Sequence, residues 1–163
     1  MTRVSERGFE DHIEWWLLTY GGYSAGDPST LDRRRGLLVG DLVGFVQDTQ
    51  PRAWARLVAI HAGEQNAMER FADRVAQEID SRGTVDVLRH PVIDHGVEVR
   101  LAYFRPAHGL TPDLEERYRR NRLTLVRQLA YETNSNKTVD LGLFVNGIPV
   151  ATAELKNQLT GQN

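Results

Sequence analysis

Three side chains near the end of the 163-residue sequence, Asp140, Glu154 and Lys156, have the types and spacing of a divalent-metal phosphodiesterase centre. The chain has 20 basic residues, of which two, Lys137 and Lys156, are lysines. A compact ammonium has therefore been kept at Lys156, two residues after a carboxylate on an expected strand, where the two side chains share a face. Hydrolysis of a phosphodiester requires charge neutralisation on the phosphate, an activated water and help for the leaving oxygen. Two carboxylates on neighbouring strands can share a hard Mg²⁺, which takes oxygen ligands and keeps several waters. A lysine beside them can orient or deprotonate the attacking water, which arginine does poorly because it does not readily lose a proton.

Strand register decides whether these groups meet. Asn146-Gly147 between two apolar runs is a hairpin signal. A two-residue loop would pair Val145 with Ile148 and Asp140 with Ala153, sending Asp140 and Glu154 to opposite faces. A three-residue loop with a bulge at Gly147 would pair Phe144 with Ile148 and Asp140 with Thr152. Asp140, Glu154 and Lys156 then share a face, with the carboxylate-bearing backbones roughly 7–8 Å apart. The chemistry therefore predicts the bulged loop.

The elements that must hold this hairpin are legible as a change of period. Ser5 is the expected cap of a first helix to Tyr20, with Phe9, Ile13, Trp16, Leu17 and Tyr20 as its apolar face. Further helices are expected from Asp41 to Val46, from Pro51 to about His61, and from Glu64 to a stop at Gly83. Thr84–Leu88 and Val97–Phe104 read as strands, the second preceded by a turn at Asp94-His95-Gly96. Pro112 opens a short charged helix, Leu123–Tyr131 reads as a strand, and Val139–Val145 and Ile148–Leu155 form the hairpin. Helices first and strands later imply an α+β or mixed α/β fold, with helices packed on a central sheet.

Composition bounds the rest. One domain over residues 1–163 can bury a core, with 40% apolar and 26% charged residues. No run has the length of a membrane span, and a cytoplasmic location fits. Without cysteine there is neither disulfide nor thiolate zinc site. The net charge of −2 gives no global basic field, but seven basic residues face four acids between Arg105 and Lys137. Within that stretch Arg117, Arg119, Arg120 and Arg122 could contact phosphates. The five histidines lack ligand spacing and read as surface or loop residues. Trp15, Trp16 and Trp54 read as core or interface.

The stretch from Asn134 to Asn157, with its Asp140-Leu141-Gly142-Leu143-Phe144-Val145-Asn146-Gly147-Ile148-Pro149 and Glu154-Leu155-Lys156-Asn157 phrases and a following Thr160-Gly161-Gln162, resembles the nuclease hairpin of type I restriction enzyme R (restriction) subunits. Upstream, Glu6-Arg7-Gly8-Phe9-Glu10, Gly22-Tyr23, Thr49-Gln50-Pro51, Leu88-Arg89 and Arg127-Gln128-Leu129 look like the same N-terminal region. The resemblance implies a PD-(D/E)xK restriction-endonuclease-like core, with Asp140 and Glu154 as Mg²⁺ ligands and Lys156 as the catalytic lysine. It also implies a further carboxylate from the first helix, for which Glu10 is the candidate and Glu6, one turn earlier, the alternative.

By the same resemblance the chain is a type I site-specific deoxyribonuclease region. It would act on double-stranded DNA alongside modification and specificity subunits. Two departures stand out. There is no Gly-x4-Gly-Lys-Ser/Thr loop of an ATP-driven motor, so ATP enters only through a region this sequence lacks. The chain also stops before the family's Gln-x3-Tyr element, which implies a nuclease domain incomplete at its C-terminus. The rival readings are a non-catalytic remnant or docking module of the restriction complex, and a nuclease from another branch of the superfamily.

Overall fold

The computed structural model describes residues 6–107, 112–132 and 137–155. Its elements run α1 (Glu6–Thr19), β1 (Ser24–Ala25), a 3₁₀ turn (Pro28–Thr30), α2 (Val39–Thr49), α3 (Pro51–Ile60), α4 (Glu64–Arg82) and α5 (Thr84–Arg89). Then come β2 (Val92–Asp94), β3 (Val97–Val99), α6 (Pro112–Arg119), β4 (Leu123–Ala130), β5 (Thr138–Val145) and β6 (Ile148–Ala153). The fold is mixed α/β. Its main sheet has the order β1-β4-β5-β6, with β1 parallel to β4 and the other pairs antiparallel. The two-residue β1, inside a segment whose sequence reads as loop, makes the sheet mixed.

Helices α2 to α5 and the β2–β3 ribbon build the larger core around Leu42, Phe45, Leu57, Phe71 and Val75, all fully buried. Ile148 of β6 also belongs to it. Leu38, just before α2, packs instead with Val126, Leu129 and Phe144 of the sheet. Pro51 opens α3, where its missing N–H costs nothing. Gly83, at φ +85°, ends α4 and at once begins α5.

That second role of Gly83 corrects the strand expected at Thr84–Leu88, which is helical. The alternation of Val85 and Val87 matches a strand, but charge spacing favours the helix. Glu78, Arg82, Asp86 and His90 stand four apart and pair in succession. Arg82 bonds Glu78 at 2.6 Å and also Asp86, which meets His90 at 2.9 Å. Helix α2 starts two residues before Asp41 and ends at Thr49, three past the expected Val46. The strand expected over Val97–Phe104 stops at Val99.

The hairpin also departs from expectation. Val145 pairs with Ile148, and Asn146 and Gly147 have φ of 51° and 78°, a two-residue type I′ turn. The three-residue loop is not formed because the turn is buried in protein. Asn146 is fully buried and the Leu38 N–H donates to the Gly147 carbonyl at 2.9 Å. The bulge lies farther along: Phe144 pairs with Pro149 but Leu143 with Ala151, leaving Val150 as the extra residue. Pro149, with no N–H for the ladder, sits where the irregularity is cheap. Leu141 therefore faces Ala153, and the register carried one residue further sets Glu154 opposite Asp140. Glu154 itself lies one position past β6 and is exposed.

A separate polar anchor ties the 32–37 segment to α4. The Arg35 guanidinium bonds Asp32 at 2.6 Å, Glu69 at 2.6 Å and Asp73 at 2.9 Å, while Arg34 adds a second bond to Asp73 at 2.7 Å. Arg35, and then Arg34, hold the Asp73 carboxyl at about 2, below its ordinary 3.8. The stabilisation is therefore present above about pH 4 and is lost as pH falls through 2. Urea unfolding of wild type and Asp73→Asn should give distinct midpoints at pH 6 that converge between pH 4 and 2.

Gly147 and Gly36 make a second test. Both have positive φ, but a Cβ at Gly147 would lie 2.3 Å from the Leu38 carbonyl, whereas nothing lies within 4 Å at Gly36. Gly36→Ala should cost about 1–2 kcal/mol and Gly147→Ala clearly more, roughly 3 kcal/mol or above, by urea denaturation.

Candidate functional site

Glu10 of α1 and Asp140 of β5 are brought together by a residue on the strand between them. Gln128 of β4 donates from its amide nitrogen to Glu10 Oε1 at 2.9 Å and to Asp140 Oδ1 at 3.4 Å. Its amide oxygen accepts from Thr138 Oγ1 at 3.2 Å. The backbone at Gln128 has φ +49°, in the left-handed region that few non-glycine residues occupy. The β4–β5 ladder pairs Arg127 with Leu141 and Leu129 with Val139 but omits the step between them. Local strain is thus concentrated where the side chain bridges the two acids.

Asp140 has a second donor, the Leu155 N–H at 2.6 Å to Oδ2. This bond ties the chain just beyond β6 to the carboxylate on β5. Arg127 holds the other wall. Its guanidinium reaches Glu10 at 2.7 Å, Asp11 at 2.8 Å and Glu14 at 2.6 Å, so one cation on β4 gathers three acids of α1. The Glu10 hydrogen bond is the largest of the influences that hold Arg127 still more firmly protonated than usual. A cleft of about 540 Å³ opens here, lined by Arg7, Glu10, Arg127, Gln128, Asp140 and Leu155.

This arrangement splits the expected apolar face of α1: Ile13 and Leu17 are half-buried on the side of Glu10, and its aromatic members are not. Glu10 is 6% exposed, whereas Phe9, Trp16 and Tyr20 of the expected apolar face are 47%, 51% and 65% exposed. The pull of Arg127 and Gln128 on the acidic edge decides which side of the helix meets the sheet. Of the tryptophans, Trp54 is in the core, while Trp15 and Trp16 are half exposed.

The other expected site residues are placed differently. Glu154 is exposed one position past β6, does not line the cleft and makes no hydrogen bond among the described residues. Glu10, Asp140 and Glu154 do not gather as one ligand set among the described residues. Lys156 lies outside the described residues, and Glu6 begins α1. The arginine cluster is at the far end of the sheet. Arg122 precedes Leu123, which pairs with Val145 at the hairpin tip, five residues along β4 from Gln128 and so roughly 16 Å away. There Arg122 bonds Asp48 at 2.7 Å and Arg119 bonds Glu115 at 3.2 Å, while Arg120 pairs with Glu116 and Arg117 lies over the Tyr103 ring.

Glu10 and Asp140 offer carboxylate oxygens of the kind a hard cation takes, and the Gln128 amide nitrogen now bonds one oxygen of each. Sequence reasoning had assigned no role to Gln128, Arg127 or Arg7. The available signal was the polar Arg127-Gln128 pair inside an otherwise apolar strand. Of the histidines expected at the surface or in loops, His95 is an exposed turn residue, whereas the His61 side chain is nearly buried. His61, with a 9% exposed side chain, and His95 both contact the buried Asp94.

The family described as type I restriction enzyme R protein N terminus matches residues 60–163. No curated protein and no solved structure matches the chain. The matched segment contains β4, β5 and β6 with Gln128, Asp140, Glu154 and Lys156, while Glu10 lies upstream of it.

If Arg127 is what seats α1, Arg127→Leu should raise amide hydrogen exchange across residues 6–19 while leaving β4 and β5 protected. The expected stability loss is about 1–3 kcal/mol, from leaving the Glu10 carboxylate without its cation.

Proposed function

The chain belongs to the type I restriction enzyme R protein N-terminus family, and from that premise we propose that it carries the DNA-cutting centre of such an enzyme. The observation that supports this most directly is the convergence of Glu10 and Asp140 on one strained glutamine beside a cleft. On this reading α1 with the β4-β5-β6 strands is a PD-(D/E)xK core. Asp140, Glu154 and Glu10 are its Mg²⁺ ligands. Bound there, the ion would neutralise charge on the scissile phosphate and acidify a coordinated water.

The chain's own residues do the remaining work. The Leu155 N–H holds Asp140 Oδ2 in place, so the carboxylate is oriented before any ligand arrives. Glu154, without a protein partner among the described residues, is available to a cation. Lys156 orients the attacking water and offsets negative charge on the pentacovalent phosphorus. Arg7, lining the same cleft, provides positive charge for the DNA backbone. Double-stranded DNA is the substrate, with site choice left to modification and specificity subunits and ATP-driven motion to a motor region. The setting is the cytoplasm, and among the described residues no helix is long and apolar enough to cross a membrane.

A second reading, a non-catalytic docking module of the same complex, is favoured by one fact: two carboxylates converge and the third, Glu154, stands apart. Metal binding separates the two. Mn²⁺ titrated calorimetrically into the chain should bind, and Asp140→Asn should remove that binding. A chain that binds no divalent ion supports the docking reading.

In the complete restriction complex, Asp140→Asn and Lys156→Ala should each lower DNA cleavage by on the order of 10³-fold. ATP-driven translocation should persist. Cleavage at the wild-type rate in either variant would overturn the assigned roles.

A further inference from the structure

A second cluster of metal-binding side chains lies away from the main sheet, at the end of α3 and the tip of the β2–β3 ribbon. We propose that His61, Asp94 and His95 form a transition-metal site of the zinc class, with three protein ligands and a fourth position open to water.

The geometry is that of a ligand set. His61 Nε2 is 3.0 Å from Asp94 Oδ2, and His95 Nδ1 is 2.6 Å from Asp94 Oδ1. All three donor atoms lie within 4.8 Å of one another. The two imidazoles meet edge to face, with centroids 5.1 Å apart. A tetrahedral ion with bonds of about 2.0–2.1 Å separates its donors by roughly 3.3–3.4 Å. The two His–Asp pairs, now at 3.0 and 2.6 Å, reach that spacing by opening by less than an ångström once their hydrogen bonds give way to the ion.

Each residue is held there by its own element. His61 caps the C-terminus of α3, where the last carbonyls give the site a partial negative charge that favours a cation. Asp94 ends β2 and is 4% exposed, so its charge is little screened by solvent. His95 and Gly96 form the turn to β3, with φ of 47° and 78°. The first position of such a turn needs a left-handed backbone, which histidine adopts more readily than most side chains.

Charge and protons balance without another reactant. Each imidazole now meets Asp94 through the nitrogen that would bind the metal. Moving each N–H to the other ring nitrogen frees both lone pairs with no net proton release. The carboxylate then offsets one of the two positive charges of the ion. The donors face a cavity of about 390 Å³ that Arg70 and Gln77 also line, leaving room for a water or small anion at the open position. Two imidazoles and one carboxylate select for zinc, cobalt or nickel over magnesium, which separates this site chemically from the all-oxygen cleft at Asp140.

Cobalt reports on the site directly. The tag-free chain, cleared of metal with a chelator, is titrated with Co²⁺ and then with Zn²⁺ in competition, with excess Mg²⁺ present. The expected result is one equivalent of Co²⁺ giving visible d–d bands, displaced by Zn²⁺ and indifferent to Mg²⁺. His95→Ala changes a side chain that is 64% exposed and so preserves the fold. It should weaken Co²⁺ affinity on the order of 10–100-fold, and His61→Gln should do the same. Asp140→Asn should keep the bands. Absence of bands overturns the proposal, as do bands that survive in His95→Ala or that vanish in Asp140→Asn.

Discussion

The Asn146 carboxamide has no access to solvent, and every polar atom it carries is satisfied by protein. Its oxygen accepts from the Arg122 N–H at 2.6 Å, and its nitrogen donates to the Leu101 carbonyl at 2.9 Å and to Asn121 at 2.8 Å. Its own N–H donates to the Arg122 carbonyl at 2.7 Å. One side chain thereby joins the hairpin tip to the start of β4 and to the segment after β3. Gly147 next to it lies against the start of α2, too close for any Cβ. Withdrawing this turn from protein would strand several buried polar groups, each worth about 1–3 kcal/mol. Strand register therefore follows from the tip, and the irregularity in the ladder falls in β6 at Val150.

The opposite end of β4 shows a different compromise. Arg127 and Gln128 are polar residues on a central strand, and they are accommodated because α1 brings them acids. The helix buries Glu10 and leaves its aromatic residues outward, a departure from ordinary amphipathic packing. Ile13 and Leu17 lie half-buried on the same side as Glu10. The combined hydrogen bonds of one guanidinium and one amide hold that side inward, since a buried carboxylate with a matched cation is tolerated where an unpaired one is not.

The two proposed centres differ in donor type. The cleft around Asp140 offers carboxylate oxygens, of the kind a hard ion that keeps its waters takes. The cluster around Asp94 offers two imidazoles on a buried carboxylate, suited to a borderline ion. The first belongs to the sheet and the second to the helical half, so each is organised by a different part of the core.

Local pattern determined much of the architecture. The positions of α1, α3, α4, α6 and the β5–β6 hairpin follow from periodicity, proline and glycine, because those signals act over a few residues. Asp140 and Glu10 were also identifiable as candidates, the first by its place in the hairpin phrase and the second by its place on the first helix. Thr84–Arg89 was misread because valine alternation fits a strand, while the i,i+4 charges that favour a helix extend back into the preceding one. Only the tertiary structure decided that the Asn146-Gly147 turn is buried, that Gln128 bridges two carboxylates, and that His61 meets Asp94 across 33 residues of sequence. Each depends on which distant group fills a hydrogen bond, and that is settled by packing elements together, a step to which no short-range pattern responds.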